Sequence, residues 1–267
     1  MARDRAQLKR FLSWAEAKPA ESLGVLFTPW GEALIRPWYQ EAILALSHLP
    51  WVERVAIQTN LSGPLAWAEA ADREALALWA TFHPGQVSRA RFLAKCRELD
   101  ALGVRYSVGG VGLREHFAEL EALRAELAPS VYLWINAYKR DPDYYRPGER
   151  ERLTALDPLF SQNATRHASR GEACRTGASV ISVDGEGTIR RCHFVKEPLG
   201  SLYAPAWEQA LAERPCPNER CGCFIGYAHL ERLRLEETFG ASLLERIPRV
   251  LPRALGVAPG QHQETSA

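Results

Sequence analysis

The feature that most limits what this chain can fold into is an alternation running through its first 160 residues: apolar runs of strand length separated by segments whose apolar residues recur at helical spacing. The order starts with an amphipathic helix over residues 3–17, with Leu8, Phe11, Leu12 and Ala15 on one face. Strands are predicted at 22–28, 53–59, 77–82, 105–111 and 131–136, and helices at 37–49, 66–74, 88–102 and 114–127. Strands that each lead into a helix do not pair as hairpins; they return in parallel through right-handed crossovers. The expected class is α/β, as a barrel or as an open doubly wound sheet, and the pattern does not separate these two. With 46% hydrophobic and 24% charged residues, the 267-residue chain has the apolar content for such a core, which excludes a disordered or low-complexity chain.

In either architecture the loops leaving the C-terminal ends of parallel strands line the site. Here those ends carry Gly31 and Glu32, Gln58, Thr59 and Asn60, Thr81 and His83, Gly109 and Gly110, and Asn136. Loops begin with polar residues in any protein, so each of these alone is ordinary; polar or glycine residues at every strand end together point to ligand binding. In Phe27-Thr28-Pro29-Trp30-Gly31-Glu32, directly after the first predicted strand, the glycine lets a ligand approach the backbone and the adjacent carboxylate can bind an ammonium group. His83 and His193 read as ordinary polar partners, with His193 the more interesting because it adjoins Cys192.

Near residue 140 the character changes. A break at 141–147 precedes a helix at 149–156, a polar connection at 160–169 and a second module. Strands at 179–183 and 188–192 flank Asp184-Gly185-Glu186-Gly187, whose Asp-Gly pair suits the positive φ angles of a tight hairpin turn. Helices near 207–212 and over 227–238 follow, and 256–267 reads as a frayed end.

The six cysteines are placed unevenly: none precedes Cys96, and five lie within fifty residues as Cys174-x17-Cys192-x23-Cys216-x4-Cys221-x-Cys223. A hairpin brings its two ends together and irregular backbone can wrap a centre, so these thiols read as metal ligands rather than small buried residues. Structural zinc favours paired Cys-x2-4-Cys knuckles, which only the last three cysteines approach, whereas iron-sulfur ligation accepts longer and uneven spacing; both metals stay open at this point. Cys96, in Phe92-Leu-Ala-Lys-Cys96 on a predicted helix, reads as ordinary packing.

The net charge of +1 gives no reason to expect nucleic-acid binding or a polybasic membrane contact, so any substrate is recognised locally. No window approaches the ~18 apolar residues of a spanning helix and no signal-peptide core follows the first residues, so the expected location is cytoplasmic.

The cysteine-rich part resembles the SPASM/twitch extension of radical S-adenosylmethionine (radical SAM) enzymes, which opens with a cysteine, a gap of nine to fifteen residues and Gly-x4-Cys; Cys174-x12-Gly187-x4-Cys192 fits that pattern. The N-terminal part is similar to the radical SAM core, with Trp30-Gly31-Glu32 in the place of its Gly-Gly-Glu motif. The resemblance implies a partial (β/α)6 TIM-like barrel missing its first strand over 1–160, a small Cys-rich α+β module with a β-hairpin over 161–240, and a C-terminal tail over 241–267. It implies S-adenosylmethionine contacts at Gly31, Glu32, Thr59, Asn60, Thr81, His83 and Asn136. It implies one auxiliary 4Fe-4S cluster on Cys174, Cys192, Cys216, Cys221 and Cys223, since five thiols are too few for two fully Cys-ligated cubanes.

The implied activity is reductive cleavage of S-adenosylmethionine to a 5'-deoxyadenosyl radical, which abstracts hydrogen from a small-molecule or peptide substrate; the implied partner is a low-potential electron donor. The family holds its radical-generating cluster on Cys-x3-Cys-x2-Cys, and no such run precedes Cys96. The expectation is that roughly thirty residues carrying that loop and strand are missing from this version of the sequence, leaving the 267-residue chain inactive by itself. The alternative is a non-catalytic zinc or iron-sulfur binding protein with a degenerate barrel.

Overall fold

The computed structural model describes residues 2–250. Helix α1 (Ala2–Glu16) leads into β1 (Leu23–Phe27), α2 (Pro37–Ser47), β2 (Val52–Thr59), a 3-10 helix (Ala66–Ala70), β3 (Leu76–Thr81), α3 (Arg89–Leu102), β4 (Arg105–Val111), α4 (Phe117–Glu126) and β5 (Leu133–Asn136). Local chemistry sets several of these bounds. Pro37 opens α2 where no backbone donor is needed, Ser88 caps α3 by accepting from Arg91 N, and Gly103, at φ 66°, ends it. Where a helix is expected over 66–74, only Ala66–Ala70 is helical, because Asp72 Oδ1 accepts from Glu74 N and turns the chain toward β3.

All five strands pair in parallel, in the order β1-β2-β3-β4-β5. A doubly wound sheet reverses direction at a switch point; here every crossover adds the next strand on the same side, as a barrel does. The architecture is therefore an α/β partial barrel.

Strand alternation sorts the side chains into two layers. Val55, Ile57, Leu76, Leu78, Val108, Leu133 and Ile135 face the helices and pack on Ile43, Leu46, Phe92, Leu99, Leu120 and Leu123, all but fully buried. Each such side chain contributes about 1.5–3 kcal/mol of burial. Cys96 lies in this layer at 2% exposure, and burial pushes its thiol up to about 12, which matches the packing role its helix suggests. On the opposite, inner face, Leu26, Trp79, Tyr132 and Trp134 meet Phe224, Tyr227, Leu235, Phe239 and Leu243. In the stretch expected to begin a tail, Leu243, Glu245 and Arg246 instead pack into the barrel: Glu245 is 0% and Arg246 1% exposed. Glu245 pairs with Arg54 Nε and Arg105 Nη2, each at 3.4 Å, and its carbonyl accepts from Ser107 Oγ. The rest of the expected tail, 251–267, lies outside the described residues.

The chain beyond the barrel strands forms α5 (Pro147–Leu156), α6 (Phe160–Ala164), β6 (His167–Ala168), β7 (Ser182–Val183), β8 (Thr188–Arg190), β9 (Pro198–Ser201), β10 (Arg220–Cys221), α7 (Phe224–Tyr227) and α8 (Leu235–Phe239), with 3-10 helices at Trp207–Ala210 and Glu231–Leu233. The expected hairpin is present as β7 and β8, shorter than read from sequence and joined by a third strand, β9. Its positive φ falls on Gly187 (85°) rather than on the Asp-Gly pair, because Asp184 Oδ1 accepts from Glu186 N and Thr188 N and so carries the turn itself.

Two further expectations change. The connection 160–169 contains α6 and β6, and the helix expected over 227–238 is broken by Arg234 at φ 49°. That break directs Phe239 onto Tyr132 and Phe224, gaining aromatic contacts on the inner face that a continuous helix does not reach. Helix α1 joins the parts, with Phe11 edge-on to Phe27 of the barrel and Trp14 edge-on to Trp207 of the hairpin side. Among the described residues no helix is long and apolar enough to cross a membrane.

Candidate functional site

The strand ends expected to bind a ligand converge in part. Glu32, in the loop after β1, accepts from Leu34 N at 2.9 Å through one carboxylate oxygen, and from Thr59 Oγ1 at 2.8 Å and Asn60 N at 2.6 Å through the other. Three residues singled out separately, Glu32, Thr59 and Asn60, therefore meet at one point, where the carboxylate ties the first loop to the end of β2. Gly31 beside it has φ 68°, a conformation suited to glycine, and nothing stands within 4 Å of the space a Cβ would take. Thr81 ends β3, and His83 follows it, half-buried, its pKa lowered by burial and by the nearby His116.

Asn136, at the end of β5, belongs to a network that sequence reading missed. Its Oδ1 accepts from Arg246 Nη1 at 3.0 Å, while Arg246 Nη2 donates to Asn163 Oδ1. The Arg246 guanidinium lies 4.3 Å from the Phe224 ring centroid and 4.6 Å from that of Trp134. Asn163 also accepts from Tyr227 Oη and donates to Asp157 Oδ2, and Asp157 accepts from Tyr132 Oη, Ile135 N and Leu159 N. Burial raises the Asp157 carboxyl above its ordinary range, against the pull of Arg246. Nothing in the local sequence around Arg246 marks it as a core residue.

The five clustered cysteines line one cavity of about 280 Å3. Cys174 is held by a bridge to Leu230, Cys192 follows β8, Cys221 sits in β10 opposite His167, and Cys223 precedes α7. The carbonyl of Cys216 accepts from Gly171 N, which fixes the intervening loop. All are free thiols. Burial raises the Cys192 thiol, opposed by the backbone N–H groups of Phe194 and Val195, and pushes Cys221 up to about 11, opposed by that of Cys223. N–H groups aimed at sulfur favour a thiolate once a metal replaces the proton.

The rest of the lining includes Lys139, Arg166 and Arg220 and no carboxylate. Lys139 donates to Asn163 O, and burial lowers its pKa to about 8. The donor set is soft and anionic on metallation, with cations around it, which fits a cluster held by thiolates. Among the described residues no three His, Cys, Asp or Glu side chains stand close enough to close around a single ion. His193 is outside the lining and packs edge-on against Phe194. Sequence reading missed Lys139 and Thr176 in the lining and Arg191 behind Thr176; the last two lie within two residues of a cysteine, which was the one available signal.

No protein-family model and no curated protein matches the chain. Among solved structures it is similar to native anSMEcpe with bound AdoMet, at TM-score 0.51 and 9% identity, covering 76% of this chain and 69% of that chain. It is equally similar to native anSMEcpe with bound AdoMet and Kp18Cys peptide, at TM-score 0.51 and 9% identity, over 76% of this chain and 70% of that one. A polyhistidine-tagged anSMEcpe with bound AdoMet matches at TM-score 0.52 and 9% identity, over 76% and 67%. At that identity the likeness carries the fold alone: the chain has an α/β partial TIM-like barrel, similar in fold to the AdoMet-bound anSMEcpe structures.

Proposed function

We propose that the protein is of the radical SAM type, with S-adenosylmethionine at the barrel mouth and a SPASM/twitch-type 4Fe-4S cluster in the cysteine cavity, in units spanning about residues 1–160 and 161–240. The observation that carries this reading is the convergence of all five clustered cysteines on one cavity beside the C-terminal end of β5. The long, uneven spacing Cys174-x17-Cys192-x23-Cys216 suits a multi-iron cluster better than the paired knuckles of structural zinc. Four of Cys174, Cys192, Cys216, Cys221 and Cys223 supply the ligands, and Lys139, Arg166 and Arg220 offset the charge. At the barrel mouth Glu32, already fastened by three donors, keeps about one of its roughly four acceptor positions for the methionyl ammonium. In this reading Gly31, Thr59, Asn60, Thr81, His83 and Asn136, at the ends of the parallel strands, contribute the remaining cofactor contacts. When bound, S-adenosylmethionine and a reduced cluster supply hydrogen-atom abstraction from an unactivated carbon. A peptide substrate is supported by the peptide complex of the similar fold, and a low-potential donor supplies the electron.

One observation favours a second reading, a cluster-binding protein without radical chemistry: the inner face of the barrel is filled by Trp79, Trp134, Phe224 and Arg246. Anaerobic reconstitution with iron and sulfide, followed by metal and sulfide analysis and calorimetry with S-adenosylmethionine, separates the readings. The expected result is 4Fe-4S absorbance that Cys192→Ala or Cys221→Ala abolishes and Cys96→Ala preserves, together with S-adenosylmethionine binding that Glu32→Ala weakens. Stoichiometric zinc without iron overturns the cluster assignment, and absence of S-adenosylmethionine binding leaves the second reading. Because Cys-x3-Cys-x2-Cys does not occur within these 267 residues, this chain alone is expected to release no 5'-deoxyadenosine.

A further inference from the structure

One hydrogen-bond chain in the wall of the cysteine cavity has a direction fixed by chemistry. Arg191 is 3% exposed, and its guanidinium carries donors only. It directs Nε at 3.4 Å and Nη2 at 3.3 Å to Thr176 Oγ1, and Nη1 at 2.5 Å to Pro215 O. Thr176, also 3% exposed, places the same Oγ1 3.2 Å from Cys174 Sγ. A hydroxyl has one proton and two lone pairs. With Arg191 donating to the oxygen, the hydroxyl proton is left for Cys174, so the contact runs as O–H to sulfur. The turn that holds Thr176 is rigid, since Arg175 O accepts from Ala178, Ser179 and Val180 N.

A second observation points the same way. Arg191 makes its three hydrogen bonds to neutral oxygens, and among the described residues no carboxylate pairs with it. A buried guanidinium without a counter-charge is costly. Thiolates on the adjacent Cys192 and on Cys174 supply that charge once metal has displaced their protons.

Resting on the cluster reading above, we propose that Thr176 donates a hydrogen bond to the Cys174 thiolate, that Arg191 is the positioning residue that aims it, and that the pair raises the reduction potential of the bound cluster. Reduction adds one electron, supplied from outside by a low-potential reductant, and places more negative charge on the sulfurs. A donor aimed at sulfur stabilises that state more than the oxidised one.

The test is potentiometry of the anaerobically reconstituted full chain, followed by EPR, with dithionite as reductant and iron content measured on each sample. Thr176→Ser, which keeps the hydroxyl, is expected to hold the wild-type potential, and Thr176→Val to shift it to more negative values at equal iron content. Arg191→Met, which frees the hydroxyl to turn away, is expected to shift it in the same direction. Equal potentials in wild type, Thr176→Val and Arg191→Met at equal iron overturn the proposal and leave the cluster reading standing. Should Thr176→Val fail to retain iron, Thr176→Ala at equal iron content decides in its place, because Arg191→Met removes a charge as well as the constraint on the hydroxyl. A wild-type chain that takes up no iron and sulfide fails the cluster reading itself, and the proposal with it.

Discussion

His229 is 5% exposed, its Nδ1 has no hydrogen-bond partner, and burial, helped by Arg175, lowers its pKa from 6.5 to about 4. Between these values the unfolded chain takes up a proton that the folded chain refuses, so stability is full above pH 6.5 and falls as the pH drops toward 4. The shift corresponds to about 3 kcal/mol. Asp157 and Glu245 act with the opposite sign: their raised pKa values mean the folded state holds a proton more readily, so acidification favours it through them. The histidine contribution is therefore read as a difference. Urea unfolding at about pH 7.5 and about pH 5 is expected to show wild type losing more stability on acidification than His229→Gln. Parallel losses in the two proteins contradict a neutral buried His229. Glu32 gives the other residue-scale lesson. Its position after a strand marked it as a ligand contact, but the donors it already serves, Thr59 and Asn60, stand at the end of β2, 27 and 28 positions away, which no local pattern reveals.

At the scale of elements, β4 is shaped by one missing side chain. A Cβ on Gly109 would stand 1.9 Å from Trp134 Cδ2, so the indole lies directly across the strand and donates from Nε1 to Ser107 Oγ. Trp134 then meets Trp79 edge-on at 5.6 Å and the Arg246 guanidinium. Gly109→Ala has to move this ring, and with it the inner layer, at about 1–3 kcal/mol or more. The expected result is a lower urea midpoint together with a changed near-ultraviolet circular dichroism band for tryptophan. An unchanged midpoint contradicts the close packing. Sequence reading noticed Gly109 and Gly110 as glycines at a strand end and gave them a ligand role; the ligand of Gly109 is the chain's own tryptophan. The broken helix near Arg234 has the same origin: helical spacing is satisfied over 227–238, yet the contacts of Phe239 with Tyr132 and Phe224 reward the break.

Across the whole molecule, the barrel and the cysteine cavity differ in what holds them. The barrel has a continuous apolar layer behind its sheet, whereas residues 213–223 contain only the two-residue strand β10 and are tied back by a few backbone hydrogen bonds such as Ser169 N to Glu219 O. A cluster bound by thiolates from 174 to 223 therefore adds its binding free energy chiefly to this part. The reconstituted chain is expected to melt at a higher temperature than the apo chain and to resist proteolysis within 170–223. Equal melting and equal cleavage contradict a structural contribution of the cavity. The sequence by itself determined the number and order of the five barrel strands, the helices behind them, the polar strand ends and the grouping of the cysteines, because spacing reports which face of an element is buried and which residues follow a strand. Only the tertiary structure decided that the sheet winds in one direction, that Arg246 and Glu245 enter the barrel, and that Thr176 and Arg191 meet Cys174. Periodicity says that a face is covered but carries no information on which distant segment covers it: Arg246 meets Asn136 from 110 positions away and Glu245 meets Arg105 from 140.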